Sequence, residues 1–149
     1  MKGTIVLSHG LESGPDATKV SALAKVAEGC GWNSVRPDYR DLDATRSLEA
    51  IGARSERALE SAPASGRVIF AGSSMGAFIS AQVSLQVPVR GLFLMAPPIA
   101  LDGYDMTLQT AAVPLSIVHG WHDDLIPADA VLQWAKRHHA RVCMVNDDH

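Results

Sequence analysis

Cysteine is scarce in this chain, with only Cys30 and Cys143 among 149 residues, which is too few for a disulfide framework. Both read as buried small apolar side chains of a protein kept in a reducing compartment. No apolar run approaches the ~20 residues that a bilayer-crossing helix needs. The first one, Ile5-Val6-Leu7, ends at Ser8-His9-Gly10 and is too short for the apolar part of a secretion signal. A cytoplasmic protein with no membrane partner is therefore expected. Neither sign of charge dominates: 13 Lys and Arg stand against 16 Asp and Glu, for a net charge of −3. The basic residues are scattered, so no nucleic-acid partner is expected. The stretch Gly14 to Lys19 lacks the Gly-Lys-Ser/Thr ending of a phosphate loop, and no G-x-G-x-x-G follows the first apolar run, which argues against a nucleotide cofactor. His119 and His122 form an isolated pair beside glycine, so no metal is expected, and no cofactor is implied. Without repeats, linkers or low-complexity tracts, residues 1–149 read as one domain, long enough to bury a core unaided.

What is present is an alternation of short apolar runs and helical patterns. Thr4 to Ser8, Trp32 to Arg36, Arg67 to Ser73, Arg90 to Ala96, Pro114 to His119 and Arg141 to Val145 read as strands, most of them continuous apolar runs of the kind buried on both faces. Between them, 17–29 reads as a helix capped by Asp16, with Val20, Leu23, Ala24 and Ala27 on one face. A second helix is expected over 45–61, with Leu48, Ile51 and Leu59 inward and its Arg and Glu residues outward, ended by Pro63. A third runs to about Leu85, and a fourth covers Pro127 to about His139 with Val131, Leu132, Trp134 and Ala135 toward the sheet. Periodicity is lost from Pro97 to Val113. Strands alternating with helices imply an α/β fold with a doubly wound parallel sheet of about six strands.

The segment Arg67-Val68-Ile69-Phe70-Ala71-Gly72-Ser73-Ser74-Met75-Gly76-Ala77 runs a buried strand into Gly-x-Ser-x-Gly and at once into a helix. It reads as a nucleophile elbow. So sharp a reversal strains the central residue, and glycine at 72 and 76 keeps side chains out of a close strand-helix approach. Ser74 would stand at the tip, at the positive end of the following helix, with the Met75 backbone N–H aimed at an oxyanion. In such a sheet the loops at the carboxyl ends of the strands share one crevice. Three of these loops carry complementary chemistry: Ser74, then Asp123 and Asp124, then His149. A serine hydroxyl becomes a nucleophile only when a neutral imidazole takes its proton and a carboxylate fixes the ring's tautomer.

Three motifs in register resemble the α/β-hydrolase superfamily. His119-Gly120-Trp121-His122-Asp123-Asp124-Leu125-Ile126-Pro127 is similar to its H-G-x-x-D-x-x-V/I-P segment, and that resemblance selects Asp123 as the triad acid. Leu7-Ser8-His9-Gly10-Leu11-Glu12-Ser13-Gly14-Pro15 resembles the H-G-F/L-x-S-S-P loop of small bacterial esterases, with Gly14 in place of the second Ser. It implies that Leu11 lends its N–H to the oxyanion hole. Asp148-His149 resembles the family's D-H segment and implies that His149 is the base. Relatives continue past this histidine into a final helix. The sequence here ends at His149, so that helix is expected to be missing from a minimal hydrolase fold, with an apolar stripe of the sheet left uncovered and a monomer or homodimer as the assembly.

The remaining histidines read as structural: His9 and His119 as loop-orienting residues, His122 as a solvated loop residue, and His138 and His139 as a helix end. Tyr39 and Arg40, after the second strand, are expected at the crevice rim in contact with substrate. Pro97, Pro98, Ile99, Tyr104 and Met106 are expected to supply an apolar wall, and the segment they lie on is too short for a multi-helix lid. The implied activity is that of a serine hydrolase, a carboxylesterase cleaving small acyl esters or thioesters. The other readings are a peptidase, a lactonase or a dienelactone-type hydrolase on the same triad, or a catalytically idle binding protein. Glu12 and His122 have no assigned part in it.

Overall fold

The structure is a computed structural model, described here for residues 2–43, 48–101 and 105–149, with the side chains of Leu48 and Glu49 left aside. Its elements in chain order are β1 (Thr4–Ser8), α1 (Thr18–Gly29), β2 (Asn33–Val35), a short 3-10 turn (Arg40–Leu42), α2 (Leu48–Ser61), β3 (Val68–Ser73), α3 (Met75–Ser84), β4 (Gly91–Met95), β5 (Ala100–Leu101), β6 (Met106–Thr107), β7 (Leu115–Gly120), α4 (Ala128–Arg137) and β8 (Arg141–Val145). Six strands form one sheet in the order β2-β1-β3-β4-β7-β8, and every pairing in it is parallel. This is the α/β architecture expected from the alternating runs.

Alternation along the strands sorts the core onto two faces. Leu7 of β1 and Ala71 of β3 meet Val20 and Ala24 of α1 on one face. Val6, Phe70, Leu92, Leu94 and Ile117 point the other way, into a larger cluster with Ile51 and Ala58 of α2, Phe78 and Ile79 of α3, and Val131 and Trp134 of α4. The chain leaves β1 toward β2, then returns to β3 on the other side of β1. The reversal opens a crevice at the carboxyl ends of β1 and β3, where such sheets bind ligands.

Several expectations are corrected. Asp16 does not cap α1: the N-cap is Ala17, with no side-chain cap bond. The Arg residues of α2 are not all outward, because Arg54 is buried and paired with Asp43. Both cysteines are exposed. Cys30 lies just past the end of α1, and Cys143 shares the outer face of edge strand β8 with Arg141 and Val145. The aperiodic stretch after Pro97 contains the two-residue hairpin β5–β6. Leu48 and the start of the helix at Thr45 lie outside the described side chains and residues, as does Tyr104. Among the described residues no helix is long and apolar enough to cross a membrane.

Candidate active site

Ser74 sits at the turn between β3 and α3 with φ 55° and ψ −117°, a left-handed backbone that a residue with a Cβ adopts at a cost. Its surroundings hold it there. The Ser74 N–H donates to the Met95 carbonyl at 2.9 Å, and the Ser74 carbonyl accepts from Ala77 N–H at 2.9 Å, opening α3. A Cβ on Gly72 would collide with the Gly76 carbonyl, and one on Gly76 with the Ser8 carbonyl. The two glycines thus let β3, α3 and β1 touch backbone to backbone, and that contact aims the serine outward.

The structure brings His149 and Asp123 to this serine. His149 Nε2 lies 3.0 Å from Ser74 Oγ, and His149 Nδ1 lies 2.7 Å from Asp123 Oδ2. A carboxylate only accepts, so Nδ1 carries the ring proton and Nε2 presents a lone pair to the serine hydroxyl. Asp123 Oδ1 accepts from the N–H groups of Leu125 at 3.0 Å and Ile126 at 2.8 Å. Burial alone would raise the Asp123 carboxyl. The Ile126 N–H, His149 and the Leu125 N–H outweigh it and hold the group below its ordinary value, so it stays ionised. Asp124 and His122 are both exposed, and His122 Nε2 bonds to Asn146 Oδ1 at 2.7 Å. Neither enters the relay.

His119 is buried behind the acid. Its Nε2 lies 2.8 Å from the Ile126 carbonyl and 3.5 Å from Asp123 Oδ2, so it braces the turn that carries the carboxylate. His9 does the same for the β1 loop. The Tyr39 N–H donates to His9 Nε2 at 2.9 Å, which leaves the proton on Nδ1, 2.8 Å from the Gly10 carbonyl. The Gly10 carbonyl and the Leu11 N–H belong to one planar peptide and point in opposite directions. Anchoring that carbonyl on His9 therefore fixes the heading of the Leu11 N–H.

The crevice beside Ser74 has a volume of about 570 Å³ and runs between the β1 loop and the start of α1; its walls include Leu11, Glu12, Lys19, Val20, Leu125 and His149. Three residues expected to touch substrate do not line it. Tyr39 is 1% exposed, with its hydroxyl 2.8 Å from Ser8 Oγ, and burial pushes that phenol up to about 12. Arg40 faces solvent and grips Asp38 through Nη2 and Oδ2 at 2.6 Å, which holds the Asp38 carboxyl down at about 2. Pro97 is buried. The segment after it folds back through the β5–β6 hairpin, where Leu108 N–H bonds the Ile99 carbonyl at 2.8 Å and Trp134 Nε1–H bonds the Leu108 carbonyl at 3.0 Å. Ile99 and Met106 pack on the core in consequence, leaving the wall to α1. No sequence signal pointed to Ala17, Thr18 and Lys19, because their approach to Ser74 depends on where the loop after β1 turns. Among the described residues no group of three or more His, Cys, Asp or Glu is arranged to hold a metal ion.

No family model and no curated protein matches the chain. Solved structures do. One from Xanthomonas campestris pv. campestris, described as a member of the alpha/beta hydrolase superfamily, is 53% identical, with a TM-score of 0.93 over 99% of this chain and 88% of its own. The Pyrococcus furiosus esterase Pf2001 is 16% identical with a TM-score of 0.74, covering 99% of this chain and 74% of its own. An alpha-beta serine hydrolase homologue from Coxiella burnetii is 24% identical with a TM-score of 0.70, covering 99% and 76%. The last two share the fold.

Proposed function

Because the chain belongs to the α/β-hydrolase superfamily, we propose that it is a serine hydrolase, and specifically a cytoplasmic carboxylesterase of small acyl esters or thioesters. The observation that carries this reading is the unbroken relay from Ser74 Oγ through His149 to Asp123, at 3.0 and 2.7 Å. Both distances lie within the reach that proton transfer requires.

In this mechanism His149 Nε2 takes the Ser74 proton as Oγ attacks the acyl carbon. The carbonyl π electrons move to oxygen, and the tetrahedral oxyanion is met by the N–H groups of Met75 and Leu11. Asp123 stabilises the imidazolium without accepting its proton. Collapse re-forms the carbonyl, and His149 hands its proton to the leaving alcohol or thiol, giving an acyl-Ser74 ester. Water, deprotonated by the same Nε2, attacks that ester. The second intermediate collapses with the proton returned to Ser74 Oγ and the carboxylic acid released. The crevice is open to solvent, and Leu11, Ala17 and Leu125 give it apolar surface, which suits a short acyl group better than an enclosed chain.

The test pairs labelling with turnover. A fluorophosphonate probe is expected to modify the wild-type chain and not Ser74→Ala, and p-nitrophenyl acetate hydrolysis to fall by about 10⁶-fold on the same substitution. Full labelling of Ser74→Ala would show that the nucleophile lies elsewhere. Absence of both labelling and turnover in the wild type would favour an idle binding protein.

A further inference from the structure

The Leu11 peptide has a fixed point on each side. Upstream, His9 holds the Gly10 carbonyl. Downstream, the Glu12 N–H donates to Asp43 Oδ2 at 3.2 Å, across 31 residues of sequence. Glu12 needs such an anchor, because its φ of 56° lies in the left-handed region that disfavours a residue with a Cβ. Strained backbone of this kind persists only where its surroundings over-determine it. Asp43 is itself anchored: its Oδ1 accepts from Arg54 Nη2 at 2.6 Å, and that arginine side chain is 3% exposed. A cation buried in the flank of α2 makes sense as a fixed counter-charge for a carboxylate that must not swing.

We propose that Asp43, backed by Arg54, is a positioning residue: it clamps the Glu12 N–H and so holds the neighbouring Leu11 N–H at the oxyanion. The assignment rests on the proposed hydrolase reading for its kinetic consequence and on geometry alone for the clamp. Asp43 touches neither Ser74 nor His149. Its contribution is to spare the reacting system the reorganisation that a loose loop would require, since donors are most effective when already aimed at the developing charge.

Two double variants separate the clamp from mere stability. Asp43→Ala with Arg54→Met removes both charges and the acceptor, which avoids stranding a buried cation. Asp43→Asn with Arg54→Met removes the same charges and keeps an amide oxygen for the Glu12 N–H. The first is expected to lower kcat for p-nitrophenyl acetate by about 10- to 100-fold with little change in KM. The second should recover to within about threefold of wild type, since it restores the acceptor. Affinity for a trifluoromethyl ketone transition-state analogue should follow kcat across the series, while acetate binding should stay level. Equal kcat in the two double variants, or a loss confined to KM, would overturn the proposal. Amide hydrogen exchange across residues 9–13 gives a readout independent of turnover. Exchange is expected to quicken in the alanine variant alone, and unchanged exchange in both would overturn the clamp even if the wild type hydrolyses no ester.

Discussion

Replacing Asp123 by Asn tests the relay at the place where its chemistry and its architecture separate. Asp123 accepts three hydrogen bonds, from Leu125 N–H at 3.0 Å, Ile126 N–H at 2.8 Å and His149 Nδ1–H at 2.7 Å. An asparagine carboxamide can keep its oxygen on the two backbone donors and so preserve the turn after β7. Its NH2 group then faces His149 Nδ1, and two donors cannot bond. The ring answers by moving its proton to Nε2, 3.0 Å from Ser74 Oγ, where a donor can no longer take the serine proton. The fold stays and the base is lost. Triads treated this way lose about 10⁴-fold in kcat, equivalent to about 5.5 kcal/mol of transition-state stabilisation. The assay is hydrolysis of p-nitrophenyl acetate near neutral pH, with thermal unfolding measured alongside. The reasoning is refuted if Asp123→Asn unfolds like wild type and keeps more than about a tenth of its kcat.

Three further outcomes follow from the same geometry. Gly76→Ala drives a Cβ into the Ser8 carbonyl and is expected to cost about 3 kcal/mol or more, read as a lowered urea midpoint; an unchanged midpoint would mean the elbow can relax. The Tyr39 phenol is raised to about 12 from an ordinary 10. Its contribution is complete below pH 10 and is lost as pH rises toward 12, because the unfolded chain ionises first. That amounts to about 3 kcal/mol, which Tyr39→Phe should remove from the alkaline limb of a stability-pH curve; parallel wild-type and variant curves would contradict it. Asp123 gives the opposite sign. Its lowered carboxyl contributes stability that is present above the ordinary value and lost as pH falls through the lowered one, so Asp123→Asn should flatten the acid limb, and an equally steep limb would argue against an ionised Asp123 in the native state.

The central strands β1, β3 and β4 were legible as apolar runs, since a strand buried on both faces needs nothing else to announce it, while β2, β7 and the half-exposed edge strand β8 were legible from short β-type segments set between helical patterns. Ser74, the Asp123–Asp124 pair and His149 could be singled out because each follows a strand and a parallel sheet gathers those endings at one rim, whereas the choice of Asp123 over Asp124 came from the family resemblance. What escaped were features set by distance through space. Arg54 reads as a charged outer position on α2, and only the arrival of Asp43 from another loop makes its burial affordable. Tyr39 reads as a rim residue because it follows a strand, yet Ser8 supplies a buried partner for its hydroxyl. The exposure of Cys143 was hidden because Val142, Cys143, Met144 and Val145 are all apolar, so the alternation that turns Val142 inward and Cys143 outward leaves no trace in polarity. Pro97 was assigned to the site from its place after β4, and the hairpin that withdraws the following segment is too short to show a period.

The backbone contact of β1, β3 and α3 at Gly72 and Gly76 has a consequence for how the protein would fail under heat. The serine rides on a backbone-to-backbone junction inside the sheet, while its histidine follows the exposed stretch Asn146–Asp148. That stretch is tied to the loop after β7 through solvent-facing bonds from His122, its N–H to the Asp147 carbonyl at 3.0 Å and its Nε2 to Asn146 Oδ1 at 2.7 Å. Regions with few buried contacts open locally at lower free energy than the interior. Warming should therefore part the imidazole from the hydroxyl while the sheet is still whole. On the proposed hydrolase reading, catalytic loss would begin before any spectroscopic sign of melting, and it would reverse on cooling.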